Sequence, residues 1–202
     1  MVTTFEASTE RVRRLVASAL DERASDPEKY RVYLEHGVTL LHDAWAVGCR
    51  RLIWSSAVGG FATCAGAVLP RATKLPRRQG VGKYLRQKWT PGKKMQDNWE
   101  PDWHIPAQAI RAAKLLEIPN IAEVETALGA CIHADHLRLA RNVIAHSIPQ
   151  TWAKLREYQR QAGLTGHPTV ADTISTRHPP DGNIIIHTWS EDLKECLRAA
   201  AR

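Results

Sequence analysis

The most marked deficiency in this sequence is the lack of acidic residues across its centre. No Asp or Glu occurs from residue 44 to residue 96, although the 202-residue chain contains 21 of them. The same stretch carries eleven of the 28 Lys and Arg residues, and the formal net charge of the whole chain is +7. The basicity is therefore local, which predicts a polyanionic partner such as a nucleic acid or an anionic membrane surface.

Cysteine is scarce, and its few positions do not suit metal binding or redox chemistry. The four cysteines are Cys49, Cys64, Cys131 and Cys196. No two of them form a C-x2-C pair, which argues against a zinc site or a thioredoxin-type motif. We expect small buried thiols in apolar surroundings. The first residues lack a basic segment followed by an apolar one, so we expect no secretory signal and a reducing, cytoplasmic location.

Residues 52–69 form an uncharged run of 18 residues, at the lower edge of the length that spans a bilayer. The run contains three glycines together with serine and threonine. Small residues of this kind let backbones approach closely, so we expect a buried helix end and no membrane partner.

Several familiar catalytic signatures are also missing. The segment Gly80-Val81-Gly82-Lys83 is not a Walker loop, because Arg77 stands where the first glycine belongs. There is no G-x-S-x-G elbow, no Cys-His signature and no suggestive pair of carboxylates. His133 and His136 can share a helix face beside Asp135, but no third metal ligand is evident nearby. We therefore expect neither a metal ion nor a cofactor.

Helical periodicity is what the chain does contain. Residues 5–24 form an amphipathic pattern, and a longer one runs from about residue 27 to the Gly59-Gly60 pair. The longer pattern begins at Asp26-Pro27-Glu28, where a capping carboxylate precedes a proline at the first helical position. Its apolar stripe is spaced by four and three residues, at Leu34, Val38, Leu41, Trp45, Gly48 and Leu52.

The fold class predicted from these patterns is all-α, a bundle of four or five main helices. Additional helices are predicted near Pro106, at Asn120 with Glu123 in a capping box, and from Thr151 to Gln161. They lie within a domain expected to span residues 1–165.

Residues 166–202 are predicted to be an extension packed on the same domain. The run Ile184-Ile185-Ile186 predicts a strand, paired with residues 170–176 as a small C-terminal β hairpin. Ser190 is expected to cap a final helix.

A long connection over residues 70–104 is punctuated by proline and glycine and holds most of the local positive charge. A short helix is predicted around Lys83 to Lys88, and Tyr84 and Trp89 are placed to stack on bases. A solvated loop without a dedicated ligand is the alternative. The residues predicted to contact nucleic-acid phosphates are Arg71, Lys74, Arg77, Arg78, Lys83, Arg86, Lys88, Lys93 and Lys94.

The segment with the clearest chemical character is Arg141-Asn142-Val143-Ile144-Ala145-His146. Histidine titrates near neutral pH and can act as a general base or acid, while arginine presents a charged planar fork to phosphate oxygens. Asn142 can hydrogen-bond a ribose, a phosphate or the histidine. The alternative is structural: Asn142 and His146 cap a helix end, and Arg141 pairs with a carboxylate.

The spacing of this motif sets a geometric condition. On an ideal helix, residues five apart diverge by roughly 140°, so Arg141 and His146 point to different faces, whereas Asn142 and His146 share one. Three arrangements satisfy the condition. The helix ends near Ile144, the arginine reaches round the helix, or one site combines residues from two subunits.

This R-N-x-x-A-H version of an R-x4-H pattern resembles the signature of HEPN domains, a superfamily of small helical domains. The run from Val38 to Trp45 is similar to the second helix of the RiboL-PSP-HEPN-like branch. The stretch from Trp99 through Ile118 towards the motif is similar to the same branch. The resemblance covers roughly residues 28–160, and its specific part is the segment 137–147.

The resemblance implies a metal-independent RNA endonuclease that works as a homodimer, with Arg141, Asn142 and His146 of both subunits meeting near a two-fold axis in a cleft framed by the basic connections. It also implies RNA products with 2′,3′-cyclic phosphate and 5′-hydroxyl ends. By the same analogy, the protein is a toxin or anti-phage effector with an antitoxin or sensor partner.

The chain departs from the branch at one position. Members often carry a glutamate just after the aromatic residue of the second helix, where this sequence has Ala46. His42 and Asp43 are candidate substitutes, or else polar residues on the solvent side of their helix. The alternatives to a nuclease are a non-catalytic HEPN-type binding or scaffold module and a helical DNA-binding protein.

Overall fold

The structure is a computed structural model, and it describes residues 2–60, 62–76, 80–93, 95–164, 166–177 and 182–202. All regular elements in these ranges are helices, which confirms the predicted all-α class. None of them is long and apolar enough to cross a membrane. They are α1 (Val2–Glu22), α2 (Pro27–Val58), α3 (Val81–Trp89), α4 (Pro106–Leu116), α5 (Ile121–Gly129), α6 (Ile132–His146), α7 (Pro149–Gln161), α8 (Val170–Ser175) and α9 (Ile185–Ala200).

Two compact units make up the chain. The first consists of Val2 with residues 45–131 and 195–202, and the second consists of residues 3–44 and 132–194. Helices α3, α4 and α5 belong to the first unit, and α6, α7 and α8 belong to the second. The R-N-x-x-A-H motif therefore lies in the second unit, and the basic connection lies in the first.

Helix α6 is a central element of the second unit. Its inward residues Leu137 and Val143 are at most 2% exposed, and the helix packs against α7 and α8. The first part of α2 contributes Leu34, Val38 and Leu41, which are fully buried as the apolar stripe predicted. Burial of this kind is worth about 1.5–3 kcal/mol for each large aliphatic side chain and stabilises the second unit, which contains the motif helix.

Helix α2 begins and ends where the sequence predicts. The Asp26 carboxylate accepts a hydrogen bond from the backbone N–H of Lys29 at 2.9 Å, which caps the first turn. The helix ends at Val58, and Gly59 follows with a φ of +79°. A Cβ atom at Gly59 would lie 2.5 Å from the backbone nitrogen of Arg71, so this close approach requires glycine.

The predicted C-terminal β hairpin is wrong. Residues 170–175 form helix α8, in which the Thr169 hydroxyl accepts a hydrogen bond from the backbone N–H of Asp172 at 3.0 Å. The isoleucine run enters α9 after a single isolated bridge between Arg177 and Ile184. Buried residues at 185, 189, 193 and 197 recur every four positions, a helical spacing that outweighs the local β propensity of the isoleucines.

Three further local predictions are wrong. Asn120 is the N-cap of α5, yet its side chain makes no cap and donates to the Ala200 carbonyl at 2.8 Å. Ser190 lies inside α9 and donates to the Ile186 carbonyl, so it does not cap the final helix. Cys64 is exposed in the loop after α2, unlike buried Cys49 and Cys131.

Candidate functional site

Helix α6 continues without a break through the whole R-N-x-x-A-H motif and ends at His146. Ser147 then adopts a left-handed conformation with φ +46°, and its backbone N–H donates to the Val143 carbonyl at 2.9 Å. This geometry excludes a helix end near Ile144. Arg141 and His146 therefore diverge by roughly 140° around the helix, and Asn142 lies on the same side as His146.

The three polar side chains of the motif have no hydrogen-bond or ion-pair partner within the described part of the chain. Arg141 and Asn142 are half-buried, and His146 is exposed. None of the three side chains makes a hydrogen bond or ion pair with another described residue. Arg141 has no carboxylate partner there and Asn142 caps nothing, so the structural alternative for the motif has no support among the residues described.

His42 is a buried member of the same neighbourhood, and only 7% of its surface is exposed. Burial lowers the pKa of its imidazole, and the nearby positive charges of Arg141 and Arg138 lower that pKa further. Asp43 opposes the shift through a contact of 3.4 Å between its Oδ1 and Nδ1 of His42. The expectation that His42 points to solvent is thus wrong, whereas Asp43 is exposed. Burial and the charges of the two arginines therefore favour the neutral form of this imidazole.

Arg138 is a site residue that the sequence analysis did not single out. It lies three positions before Arg141, on the same side of α6, and that spacing was a signal that could have found it. Its guanidinium pairs with the Asp135 carboxylate at 3.0 Å. Two arginines thus share one helix face near His42. Arg138 is paired with Asp135, whereas Arg141 has no ion-pair partner among the described residues.

Some basic residues of the connection form contacts that stabilise the connection itself. Arg71 donates to the Leu75 and Pro76 carbonyls, and Lys74 lies 3.6 Å from the Glu117 carboxylate. Arg86 is half-buried. The predicted contacts at Arg77, Arg78 and Lys94 lie outside the described residues.

Three lysines of the connection remain available to a partner. Lys83, Lys88 and Lys93 are exposed and form no ion pair with the residues described in the structure. None of the three has a compensating carboxylate among these described residues, so each keeps its electrostatic attraction for a polyanion.

The aromatic residues predicted to stack on bases are buried instead. Tyr84 and Trp89 are each 7% exposed. The Trp89 ring lies 5.2 Å from the Trp99 ring, centroid to centroid, and the Arg111 guanidinium lies 4.4 Å over its face. Arg111 also donates to the Trp89 carbonyl at 2.6 Å. These rings pack the short helix α3 into the first unit, and they are not a stacking platform.

Arg50, another member of the acid-free stretch, also has a structural role. Its guanidinium forms two hydrogen bonds to the Glu100 carboxylate, at 2.7 and 2.8 Å, and lies 4.1 Å over the Trp54 ring. This hydrogen-bonded pairing lowers the pKa of Glu100. The bidentate contact anchors the connection to α2 within the first unit.

His133 and His136 share a helix face, as their spacing predicted, but they have different partners. His133 Nδ1 lies 2.8 Å from the Asp192 carboxylate. The ring of His136 lies 4.3 Å from the Tyr158 ring, and its buried Nδ1 has no hydrogen-bond partner among the described residues. Burial lowers the pKa of His136, and the charge of His133 lowers it further.

Acidification is expected to destabilise the fold through these buried imidazoles. Burial is the main cause of the lowered pKa of His42, His136 and His187. The unfolded chain binds protons at the ordinary histidine pKa of about 6.5, so below that pH it holds more protons than the folded state does. The free energy of unfolding should therefore fall as the pH drops below about 6.5. Above that pH, these three histidines should leave the free energy of unfolding unchanged.

Urea unfolding at pH 7.5 and pH 5.5 measures this effect. The variant His42→Gln should lose part of the pH dependence, whereas His36→Gln, at an exposed position of α2, should retain all of it. An equal free energy of unfolding at the two pH values in the wild-type protein would show that the buried histidines do not contribute as described.

The second unit thus collects Arg138, Arg141 and His42 near one another, with Asn142 and exposed His146 at the end of the same helix. The glutamate frequent in the resembling branch has no counterpart at Ala46, which supplies no carboxylate. Comparison with protein-family models, with curated proteins and with solved structures found no match to this chain.

Proposed function

We propose that the protein is a metal-independent RNA endonuclease of the HEPN type that acts as a homodimer in the cytoplasm. The observation that carries this proposal is Arg141, half-buried and without an ion-pair partner among the described residues, in the same helix end as exposed His146. A guanidinium group that has no carboxylate partner in the protein is available to an anionic ligand. A phosphate group satisfies it with two parallel hydrogen bonds.

The residues supply what cleavage by the 2′-hydroxyl of RNA requires. A base removes the proton of the 2′-hydroxyl, the 2′-oxygen bonds to phosphorus, and the bond from phosphorus to the 5′-oxygen breaks. An acid gives its proton to the departing 5′-oxygen, which leaves 2′,3′-cyclic phosphate and 5′-hydroxyl ends. Histidine serves as base and as acid. Arg141 stabilises the charge on the phosphorane-like transition state, and Asn142 positions the ribose or phosphate.

A dimer supplies the second histidine. One continuous α6 carries a single exposed histidine at the motif, and Arg141 faces away from it. Two copies of the helix end that meet across a two-fold axis provide two histidines and two arginines around one phosphate. One His146 then acts as base and the other as acid. Buried His42 is neutral at neutral pH and contributes a positioning role near Arg141.

The biological role in the proposal is that of a toxin or anti-phage effector that cuts cellular RNA, held inactive by an antitoxin or sensor partner. This part rests on the resemblance to HEPN proteins, because a site fixes chemistry and not the cellular context. Exposed Lys83, Lys88 and Lys93 of the basic connection supply long-range attraction for RNA.

A non-catalytic binding or scaffold module is the second candidate. Ala46 favours it, because the carboxylate frequent in the resembling branch is missing. The experiment that separates the two candidates incubates purified protein with end-labelled single-stranded RNA in EDTA and identifies the product ends. The nuclease is expected to cut and to leave 2′,3′-cyclic phosphates.

Each other outcome of this experiment has a distinct meaning. RNA that is bound and never cut supports the binding module. Cleavage that stops in EDTA and leaves 3′-hydroxyl ends contradicts the proposed chemistry. A preference for duplex DNA over single-stranded RNA in a competition titration supports the helical DNA-binding alternative.

A further inference from the structure

A groove opens in the second unit immediately after the motif helix. It has a volume of about 640 Å³ and adjoins a second cavity of about 440 Å³. Both volumes fall within the range of roughly 300–1,000 Å³ typical of small-molecule sites. Trp152, Arg156 and Pro168 line both cavities, and Ser147 lines the larger one. Because Ser147 directly follows His146 in the chain, the groove begins one residue from the motif histidine.

The Trp152 ring is hydrogen-bonded at the wall of this groove. It is half-buried, and its indole N–H donates to the Ser147 hydroxyl oxygen at 3.1 Å. The hydrogen bond ties the ring to the left-handed turn that ends α6. An indole at a groove wall is a platform on which an unpaired base can stack.

Positive charge accompanies this aromatic platform. Arg156 lies four residues after Trp152, on the same side of α7, and it is exposed without an ion pair among the residues described. The other charged groups that line the groove are Glu157 and Arg160, and they neutralise each other through a contact of 2.6 Å. The groove therefore offers one uncompensated guanidinium, which suits a single phosphate.

We propose that this groove binds the nucleotide of single-stranded RNA that flanks the cleaved phosphate, with its base on Trp152 and its phosphate on Arg156. The assignment rests on the proposed function of the R-N-x-x-A-H motif. Single-stranded RNA is the favoured ligand because a base must leave its helical stack before it can lie on the indole. Because the groove lies next to His146, an RNA strand bound there crosses the end of α6.

Binding and cleavage measured separately test this proposal. Binding of a labelled single-stranded RNA oligonucleotide is followed by fluorescence anisotropy in a His146→Ala background, where the RNA stays intact. Trp152→Ala is expected to weaken binding by roughly five- to 150-fold, the range for loss of one stacked base. Trp152→Phe should retain most of the affinity because phenylalanine also stacks.

The arginine is tested through the salt dependence of the same binding. Arg156→Ala should weaken binding and reduce the slope of log affinity against log salt by about one. Arg14→Ala, an exposed and unpaired arginine on α1, is the matched control and should change neither. If Trp152→Ala does not fold, Arg156→Ala still decides, because the salt slope reports a phosphate contact that stability does not alter.

The two proposals fail in different ways. If the wild-type protein cleaves RNA while the Trp152 and Arg156 variants bind and cleave like the wild type, the groove is not a nucleotide site and the nuclease stands. If the wild-type protein does not cleave but these variants lose RNA affinity, the groove stands and the nuclease proposal falls. Equal loss of affinity for duplex and single-stranded RNA would contradict base stacking in the groove.

Discussion

Replacing His146 with alanine is expected to lower the rate of RNA cleavage by about 10²–10⁴-fold, the usual contribution of a general acid or base. His146 is the last residue of α6, is exposed, and has no partner among the described residues. In a site shared by two subunits, one substitution removes the base and the acid together, so the loss should lie towards the upper end. Initial rates on end-labelled RNA in EDTA measure it.

The matched control for this substitution is His36→Ala, at an exposed histidine of α2 in the same unit. It should cleave RNA at the wild-type rate. His146 is exposed and makes no hydrogen bond or ion pair with the described residues, so both variants should remain folded. Wild-type cleavage by folded His146→Ala would remove this histidine from the reaction.

Replacing Arg141 with alanine is expected to lower cleavage by about 10²–10³-fold, the effect of losing one preorganised charge at the transition state. Arg141→Lys should recover only part of the rate, because an ammonium group lacks the planar fork that holds two phosphate oxygens. Loss of the charge at position 141 should also raise the pKa of His42, which Arg141 now helps to lower. NMR titration of the His42 ring reports that change independently of activity.

Arg14→Ala is again the control, because Arg14 is exposed on α1 and unpaired within the described residues. It should retain wild-type cleavage. A different result is that Arg141→Ala raises the pKa of His42 as expected and still cleaves RNA at the wild-type rate. That result would show that Arg141 lies near His42 but takes no part in the reaction.

The helical part of the fold was predictable where local signals and packing agree. The stripe Leu34, Val38 and Leu41 and the cap at Asp26 all favour the same helix, and α2 begins and ends close to the predicted residues. A proline at a first helical position gave the start of α4 in the same way. Such signals act within a few residues, so the sequence alone contains them.

The failures occur where distant contacts outweigh the local pattern. Ile185 and Ile186 have high β propensity, yet they are fully buried at the start of α9. Asn120 has the residue type and position of a cap, but a carbonyl 80 residues away takes its side-chain hydrogen bond. Trp89 lies among charges in the sequence and inside an aromatic cluster in the structure. None of these partners is identifiable from neighbouring residues.

The candidate site shows the same division. The motif itself was found from residue types and spacing, and the continuity of α6 through His146 excludes one of the three arrangements, a helix end near Ile144. The burial of His42 near Arg138 and Arg141 depends on how α2 and α6 fold within the second unit, which the separate patterns do not specify. The groove beside Trp152 depends on the left-handed turn at Ser147, which no sequence pattern predicted.

We propose that two subunits share one active site, and subunit exchange tests this proposal most directly. Wild-type protein is mixed with increasing amounts of His146→Ala, exchange is confirmed by co-purification of differently tagged subunits, and cleavage is measured with RNA in large excess. If both histidines of a dimer are needed, heterodimers are inactive. Activity per wild-type subunit then falls to about one half in an equal mixture and about one tenth with a ninefold excess of the variant. Activity per wild-type subunit that stays constant at every ratio would contradict the shared site.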